Sequence, residues 1–448
     1  MLAAGEEAAR ADRYAFLKRS LERHMRNFDE IGVSQEGIGY TAYGGIFLLR
    51  ALLALRDVGD TDLEEEAARH AWWRQAMYAG SFSSVSASAA RAWLMSGVGG
   101  PAIGDEGWAS LLLAFAPQDQ LPYFLWWYNR HLGATSTGDV AWRFDPRRDG
   151  QVWAMLLYPS DVREQDPTGI FPSGITGSAG QVLLRNRWRN QGDVQVAVHA
   201  DLRHHSHAWD QPEALSVHVL AHGETWLGGP GKETAPQHFS TLLVDGRHAR
   251  EQGGVRDGGL MSKVLFFPQG ALIAMEGGEQ YRQLGVRKVE RQVLVHFHPN
   301  SDDLLLSTLD RIESDDPHTY TWQANIGEPG QSRIVVRDRR FRPSLNQPFV
   351  LMGGGWPVCS LVGELPGAAD AEGYRIRYGD PVRIQRDGAS LEIWVQLAWR
   401  CVGGRTGPGG AIIESPHLNG TVGRDAQGNL ALQFGELPAT TPPMLGQP

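Results

Sequence analysis

The sequence predicts a helical first part followed by an antiparallel β-sandwich. Three observations lead there. The hydrophobic period is helical up to about residue 155 and alternates from about residue 181 onward. Asp-Gly turn signals such as Asp245-Gly246 and Asp387-Gly388 divide the second part into short segments. A chain of 448 residues is also longer than one ordinary core accommodates, so two domains are expected.

In the helical part, Tyr14, Leu17, Leu21, Met25 and Phe28 recur at helical spacing. Tyr40, Tyr43, Phe47 and the run Leu48 to Leu55 give a second helix. Thr61-Asp62-Leu63-Glu64 has the pattern of a capping box opening a third, which runs to about Tyr78. Ala87 to Met95 reads as a fourth and Asp105 to Ala116 as a fifth, closed by Pro117. Gln120 to Leu132 reads as a sixth, with Gly133 placed to end it. Short links between them suggest stacked antiparallel hairpins. No strand is expected before residue 150.

The Gly-, Pro-, Ser- and Asp-rich stretch from 134 to 178 reads as a transition, with 156–180 as the linker. Strands follow over 181–405. Val194, Val196 and Val198 alternate with Gln195 and Ala197, and Val293, Val295 and Phe297 with Leu294 and His296. Leu304 to Leu309, Tyr320 to Ala324, Ile334 to Val336 and Leu391 to Leu397 continue the pattern. Residues 406–448 form a Gly/Pro-rich C-terminal segment whose last dozen residues are expected to fray.

The net charge of -9 argues against a nucleic-acid partner. No uncharged apolar run approaches the roughly 20 residues of a membrane span, so no membrane partner is expected. The first 30 residues lack an apolar stretch of the signal-peptide kind. Cys359 and Cys401 match no zinc or redox spacing, which leaves free thiols or one disulfide.

Trp126, Trp127 and Arg130 lie on one short helix and are candidates for stacking against a sugar ring. The competing reading is core packing. The segment Ser34-Gln35-Glu36-Gly37-Ile38-Gly39-Tyr40-Thr41-Ala42-Tyr43-Gly44 puts Tyr40 at a helix start, where the helix dipole favours phenolate. Arg203-His204-His205-Ser206-His207-Ala208-Trp209-Asp210 places His205 and His207 two apart, on one side of an extended segment. That spacing serves a metal site, a catalytic histidine with a helper, or a plain surface cluster.

Taken in order, Glu36-Gly37-Ile38-Gly39-Tyr40, the His205 to Asp210 run, Gly223-Glu224-Thr225-Trp226-Leu227, Thr241 to Gly246 and Val289-Glu290-Arg291-Gln292-Val293 resemble the heparinase II/III-like polysaccharide lyases. The resemblance covers roughly residues 30–325. It implies an incomplete (α/α) toroid of helical hairpins followed by an antiparallel β-sandwich. It also implies β-elimination on a uronic-acid glycan, that is, an acidic polysaccharide or oligosaccharide. By this resemblance Tyr40 and His205 match catalytic positions, and Glu36, Tyr43 and His204 lie beside them as substrate-binding positions. The family's further Asn/His pair sits on an earlier helix. Only 39 residues precede Tyr40, and they hold no evident counterpart, so either the early toroid is missing or part of the site is lost, and low or no activity is expected.

No cofactor is required by that chemistry. The family's structural zinc is held by His, Asp and His. His207 matches the first ligand, Gly229 stands where Asp is expected, and His238 lies one residue from the third position. Structural zinc wants four ligands, so no complete site is expected. The resemblance suggests a periplasmic or secreted protein and leaves a homodimer open. A uronate C5-epimerase and a glycan-binding protein with a decayed site are the alternatives.

Overall fold

The computed structural model describes residues 2–33, 37–82, 90–92, 107–131, 149–189, 193–200, 214–221, 224–228, 240–248, 259–299, 301–325, 334–336, 349–353, 358–366, 373–377, 381–402 and 421–433. Helices come first: α1 (Leu2–Met25), α2 (Gly37–Asp57), α3 (Glu64–Ala68), α4 (Trp72–Ala79), α5 (Trp108–Leu112), α6 (Leu121–His131) and α7 (Asp149–Leu157). They bury Met25, Leu49, Leu52, Trp72, Trp108 and Phe124 in one core. No helix among the described residues is long and apolar enough to cross a membrane.

The helical part departs from expectation in four places. The third helix is split into α3 and α4. His70 Nδ1 donates to the carbonyl of Asp29 at 2.8 Å, and Ala71 N donates to that of Glu30 at 3.1 Å, so both bonds draw the chain out of the helix. The capping box does not form: no side chain caps at Leu63, and the Glu64 carboxylate takes Arg56 instead. Within the stretch expected as a fourth helix, Ala90–Ala92 (β2) pairs antiparallel with Gly80–Phe82 (β1), a ribbon that supplies backbone partners to an Ala/Ser run without a strong apolar stripe. Finally, α7 arises within the expected transition, where Trp153 packs on the helical core under the Arg50 guanidinium.

Two sheets follow. The smaller has the order β3-β4-β5-β6-β7, from Gly174–Thr176, Gln181–Arg185, Val194–His199, Ser216–Ala221 and Glu224–Leu227. Its first strand starts inside the expected linker. The larger contains β8 (Leu242–Val244), β9 (Leu260–Phe267), β10 (Gly270–Glu276), β11 (Val286–Phe297), β12 (Leu304–Ala324), β13 (Ile334–Val336), β14 (Phe349–Gly353), β15 (Val358–Glu364), β16 (Tyr374–Arg377) and β17 (Val382–Val402). Its path is β13-β14-β15-β17-β12-β11-β10-β9, with β16 on β17 and β8 on β12. A short helix, α8 (Gly278–Arg282), joins β10 to β11.

Strand alternation sorts the side chains. Val182, Leu184, Val194, Val196 and Val198 enter the core between the sheets, with Val293, Val295, Leu304 and Leu306. Ile175, Leu183 and Ala197 point the other way and join the helical core. The small sheet is therefore buried on both faces. The outer face of the large sheet exposes Leu294, Leu305 and Leu309 to a hairpin of β18 (Thr421–Arg424) and β19 (Leu430–Gln433), which covers them with Val422, Leu430 and Leu432. That hairpin lies within the segment expected to be only Gly/Pro-rich; the last dozen residues lie outside the described ones.

Asp387-Gly388 is not a turn. The pair sits inside β17, beside a register shift, with the Asp387 carboxylate held by Arg375 and Thr319. Asp245-Gly246 does turn, with φ of 52° and 75°. Cys359 and Cys401 face each other across β15 and β17 as a disulfide.

Candidate active site

The site is built where the helical part meets the small sheet. Arg185 at the end of β4 is fully buried and donates to the carbonyl of Met77, while Gln195 Nε2 donates to that of Tyr78 at 3.1 Å. These are orphan carbonyls at the end of α4, so sheet side chains complete the helix terminus. Arg185 also reaches Asp193 at 2.8 Å and stacks over Trp188.

On the same sheet face lies a buried polar row. Gln181 is opposite His199, and His199 is opposite Ser216; all three are at most 1% exposed. Ser216 Oγ and His218 Nε2 are 3.2 Å apart. By alternation with Leu183, Ala197 and Leu220, these groups face the helical half. The sequence carried this signal: polar residues occupy one parity of strands whose other parity is Val.

The link between α1 and α2 docks at the end of this row. Asp29 Oδ1 accepts from Val33 N at 2.8 Å and Ile31 N at 3.1 Å, and its Oδ2 accepts from Ala179 N at 3.1 Å. Glu30 accepts from both N and Oγ of Ser178 at 2.8 Å. Gly177 permits this approach, since a β-carbon there would lie 2.0 Å from Asp29 Oδ2. Burial pushes the Asp29 carboxyl up to about 6, against the pull of its amide donors.

The link between α1 and α2 and the end of β5 thus meet at one end of the sheet. Four residues after Val33, α2 begins, with Tyr40 in its first turn. The histidine segment 201–213 leaves one residue after β5 and Ala200, and the chain is described again from Ala214. Positions 40 and 43 lie on α2; their side chains lie outside the described residues. So do Glu36, His204, His205, His207 and His238, and with them the expected zinc positions. Among the described residues no cluster of three or more His, Cys, Asp or Glu is arranged to hold a metal.

His24 was missed from the sequence. It is half-buried on α1, packs edge-on against Phe28, and its Nε2 lies 3.5 Å from where a β-carbon of Gly44 would sit. Gly44 is one helical turn after Tyr40 on α2. Burial lowers the His24 pKa, which keeps the ring neutral near pH 7. Nothing in its local sequence distinguishes it from the surface residues of α1.

Of the aromatic candidates Trp127 is corrected, while Trp126 and Arg130 are half-buried. Trp127 is 0% exposed and stacks on Phe124 at 5.4 Å between ring centres, so it belongs to the core. Trp126 donates to the carbonyl of Trp188 at 3.1 Å, and its ring lies under the Arg130 guanidinium, 3.1 Å from the centroid. Arg130 pairs with Glu164 at 3.1 Å, which also accepts from Asn129 at 2.6 Å. The helix meets neighbours on several sides, so consecutive aromatics are buried without sharing one core face.

No protein-family model matches this sequence, and no curated protein matches it. The fold is similar to that of heparinase III, with a TM-score of 0.58 and 12% identity, covering 86% of this chain and 57% of the other. It is also similar to the heparan sulfate lyase HepC from Pedobacter heparinus, with a TM-score of 0.60 and 11% identity, covering 94% of this chain and 61% of the other. With helices first and antiparallel sheets after, the chain has a heparinase-III-like α-then-β architecture. It spans about three-fifths of the length of those structures.

Proposed function

We propose that the chain is a polysaccharide lyase that cleaves a uronic-acid glycan by β-elimination. The observation that supports this reading is the fold shared with heparinase III and a heparan sulfate lyase, in which the strand that leads to the histidine segment ends beside the docked link between α1 and α2.

In the proposed step a base takes the proton at C5 of the uronate. The electron pair forms the C4–C5 double bond as the C4–O bond breaks, and an acid protonates the departing oxygen. Tyr40 is assigned the proton transfer and His205 the relay or charge neutralisation, both from the resemblance. A tyrosine serves there only with its pKa lowered by its surroundings. The C5 proton is weakly acidic until the adjacent carboxylate is neutralised, so donors toward that carboxylate matter most. No Asn/His pair from an earlier helix was found in the sequence; His24, neutral and beside the turn after Tyr40, is assigned that donor role here.

The cross-strand disulfide Cys359–Cys401 fits an oxidising compartment, in line with a periplasmic or secreted protein. The test is turnover on heparan sulfate, alginate and chondroitin, followed by the near-ultraviolet absorbance of the unsaturated uronate. A C5-epimerase would instead exchange solvent hydrogen into polymer of unchanged length. Absence of both products across the panel would refute the reading.

A further inference from the structure

Among the described residues, two arginines on the outer face of the large sheet stand opposite one another with no carboxylate partner. Val382 and Ile384 of β17 enter the core between the sheets, as do Tyr320 and Trp322 of β12. By alternation Arg383 and Gln385 lie on the face turned away from the small sheet. Strand register extends this face into two rows. Arg377 is directly opposite Arg383, which is opposite Gln323. Arg375 is opposite Gln385, which is opposite Thr321.

The other described arginines on the strands of this sheet have partners. Arg375 forks onto Asp387, and Arg287, Arg291, Arg311 and Arg400 each meet a carboxylate. Arg386 donates to the carbonyl of Glu392. Arg377 is exposed and has no partner among the described residues. Arg383, half-buried, makes one long contact, from Nε to Gln323 Oε1 at 3.4 Å. Gln385 is neutral and donates its amide to Thr321 Oγ1 at 3.0 Å. The two rows thus hold three guanidiniums and no carboxylate, and Asp387 answers only the one on Arg375. Like charges held directly opposite in a ladder are unfavourable. An anion seated between Arg377 and Arg383 removes that repulsion. The planar fork of a guanidinium matches the paired oxygens of a carboxylate or a sulfate. Two such forks on neighbouring strands suit a polymer that repeats those groups.

We propose that Arg377 and Arg383 form a binding site for an anionic polysaccharide, which they hold by its carboxylate or sulfate groups. The site is separate from the seam between the helical part and the small sheet. The identity of the polymer rests on the lyase reading; the anion site itself does not.

The test uses the full chain carrying Arg377→Gln together with Arg383→Gln. The control is Arg287→Gln, which removes an exposed arginine that already pairs with Glu313 and Asp315. Binding is measured in a Tyr40→Phe background, so that the polymers stay intact, against alginate, heparan sulfate and duplex DNA over a range of salt concentrations. In the double variant the affinity for glycan is expected to fall several-fold, with a weaker salt dependence because charge contacts are lost. A fall for heparan sulfate alone identifies sulfate as the group held, and a fall for both glycans identifies the carboxylate. The control is expected to bind as its parent does. Without ligand, the thermal midpoint of the double variant is expected to equal or exceed that of its parent, since a repulsion is removed. Equal glycan affinity in the double variant and its parent overturns the proposal, as does a loss confined to DNA or a loss of the same size in the control. A lowered midpoint also overturns it, because the arginines would then be holding the fold. If the unsubstituted protein turns over no uronate, the lyase reading fails, and the affinities still decide whether the two arginines bind an anion.

Discussion

Asp29 and His296 shift in opposite senses, and each ties a buried side chain to a pH window. Burial raises Asp29 from its ordinary value of 3.8 to about 6. The folded state therefore holds that proton more tightly than the unfolded state, and this contribution to stability is present below 3.8 and lost as pH rises through about 6. His296, buried on β11 and stacked on Phe267, is lowered from 6.5 to about 4 by burial and by His298. Its contribution is present above 6.5 and lost as pH falls through about 4. Replacing His296 with Phe should flatten the loss of stability between those limits, as measured by urea unfolding near pH 7 and near pH 4. Equal slopes in both proteins would exonerate His296. Asp29→Asn keeps an acceptor for Ile31 and Val33 but turns the Nδ2 donor toward Ala179 N, which loses its acceptor. A loss of about 1–3 kcal/mol is expected at pH 7, the cost of a buried group left unsatisfied. An unchanged denaturation midpoint would remove Asp29 from the docking of the link onto the sheet.

At the scale of elements, the seam between α4 and the small sheet is the most exacting. Arg185→Met should destabilise, toward the lower end of the about 3–5 kcal/mol that breaking a buried pair costs, because Arg187 also holds Asp193. Adding Asp193→Leu should recover part of it. A single variant as stable as the parent would mean that the Met77 carbonyl needs no such partner. The same seam marks what the sequence could and could not yield. Strand β5 and the last part of β11 are legible because Val alternates with other residues there, and β13 because Ile334-Val335-Val336 is a β-branched run. The break between α3 and α4 is not, because its cause is a pair of hydrogen bonds donated to the carbonyls of residues 29 and 30, some forty positions away. Asp387-Gly388 read as a turn because local chemistry allows one; the ladder with β12 and the Arg375 fork override it. His24 and the joining of Gln181, His199 and Ser216 into one row are not legible in the sequence for a related reason: single polar residues acquire meaning only when strands and helices bring them together.

Across the whole molecule, the helical part supplies the tyrosine-bearing helix and the sheets supply the histidine segment, so the proposed chemistry needs both. The disulfide lies in the large sheet, away from that seam, and joins β15 to β17. Reduction should lower stability by about 2–4 kcal/mol and leave the seam intact, so the denaturation midpoint should drop while per-site activity at low temperature persists. Activity lost in step with reduction at temperatures where the fold survives would tie the disulfide to the site. The central claim, that this chain performs β-elimination through Tyr40, is tested most directly by comparing unsaturated-uronate formation by the unsubstituted protein and by Tyr40→Phe on one responsive glycan. The account predicts a fall of about 10²–10⁴-fold with an unchanged thermal midpoint, since Phe keeps the ring and loses only the hydroxyl. Equal rates in the two proteins would contradict it.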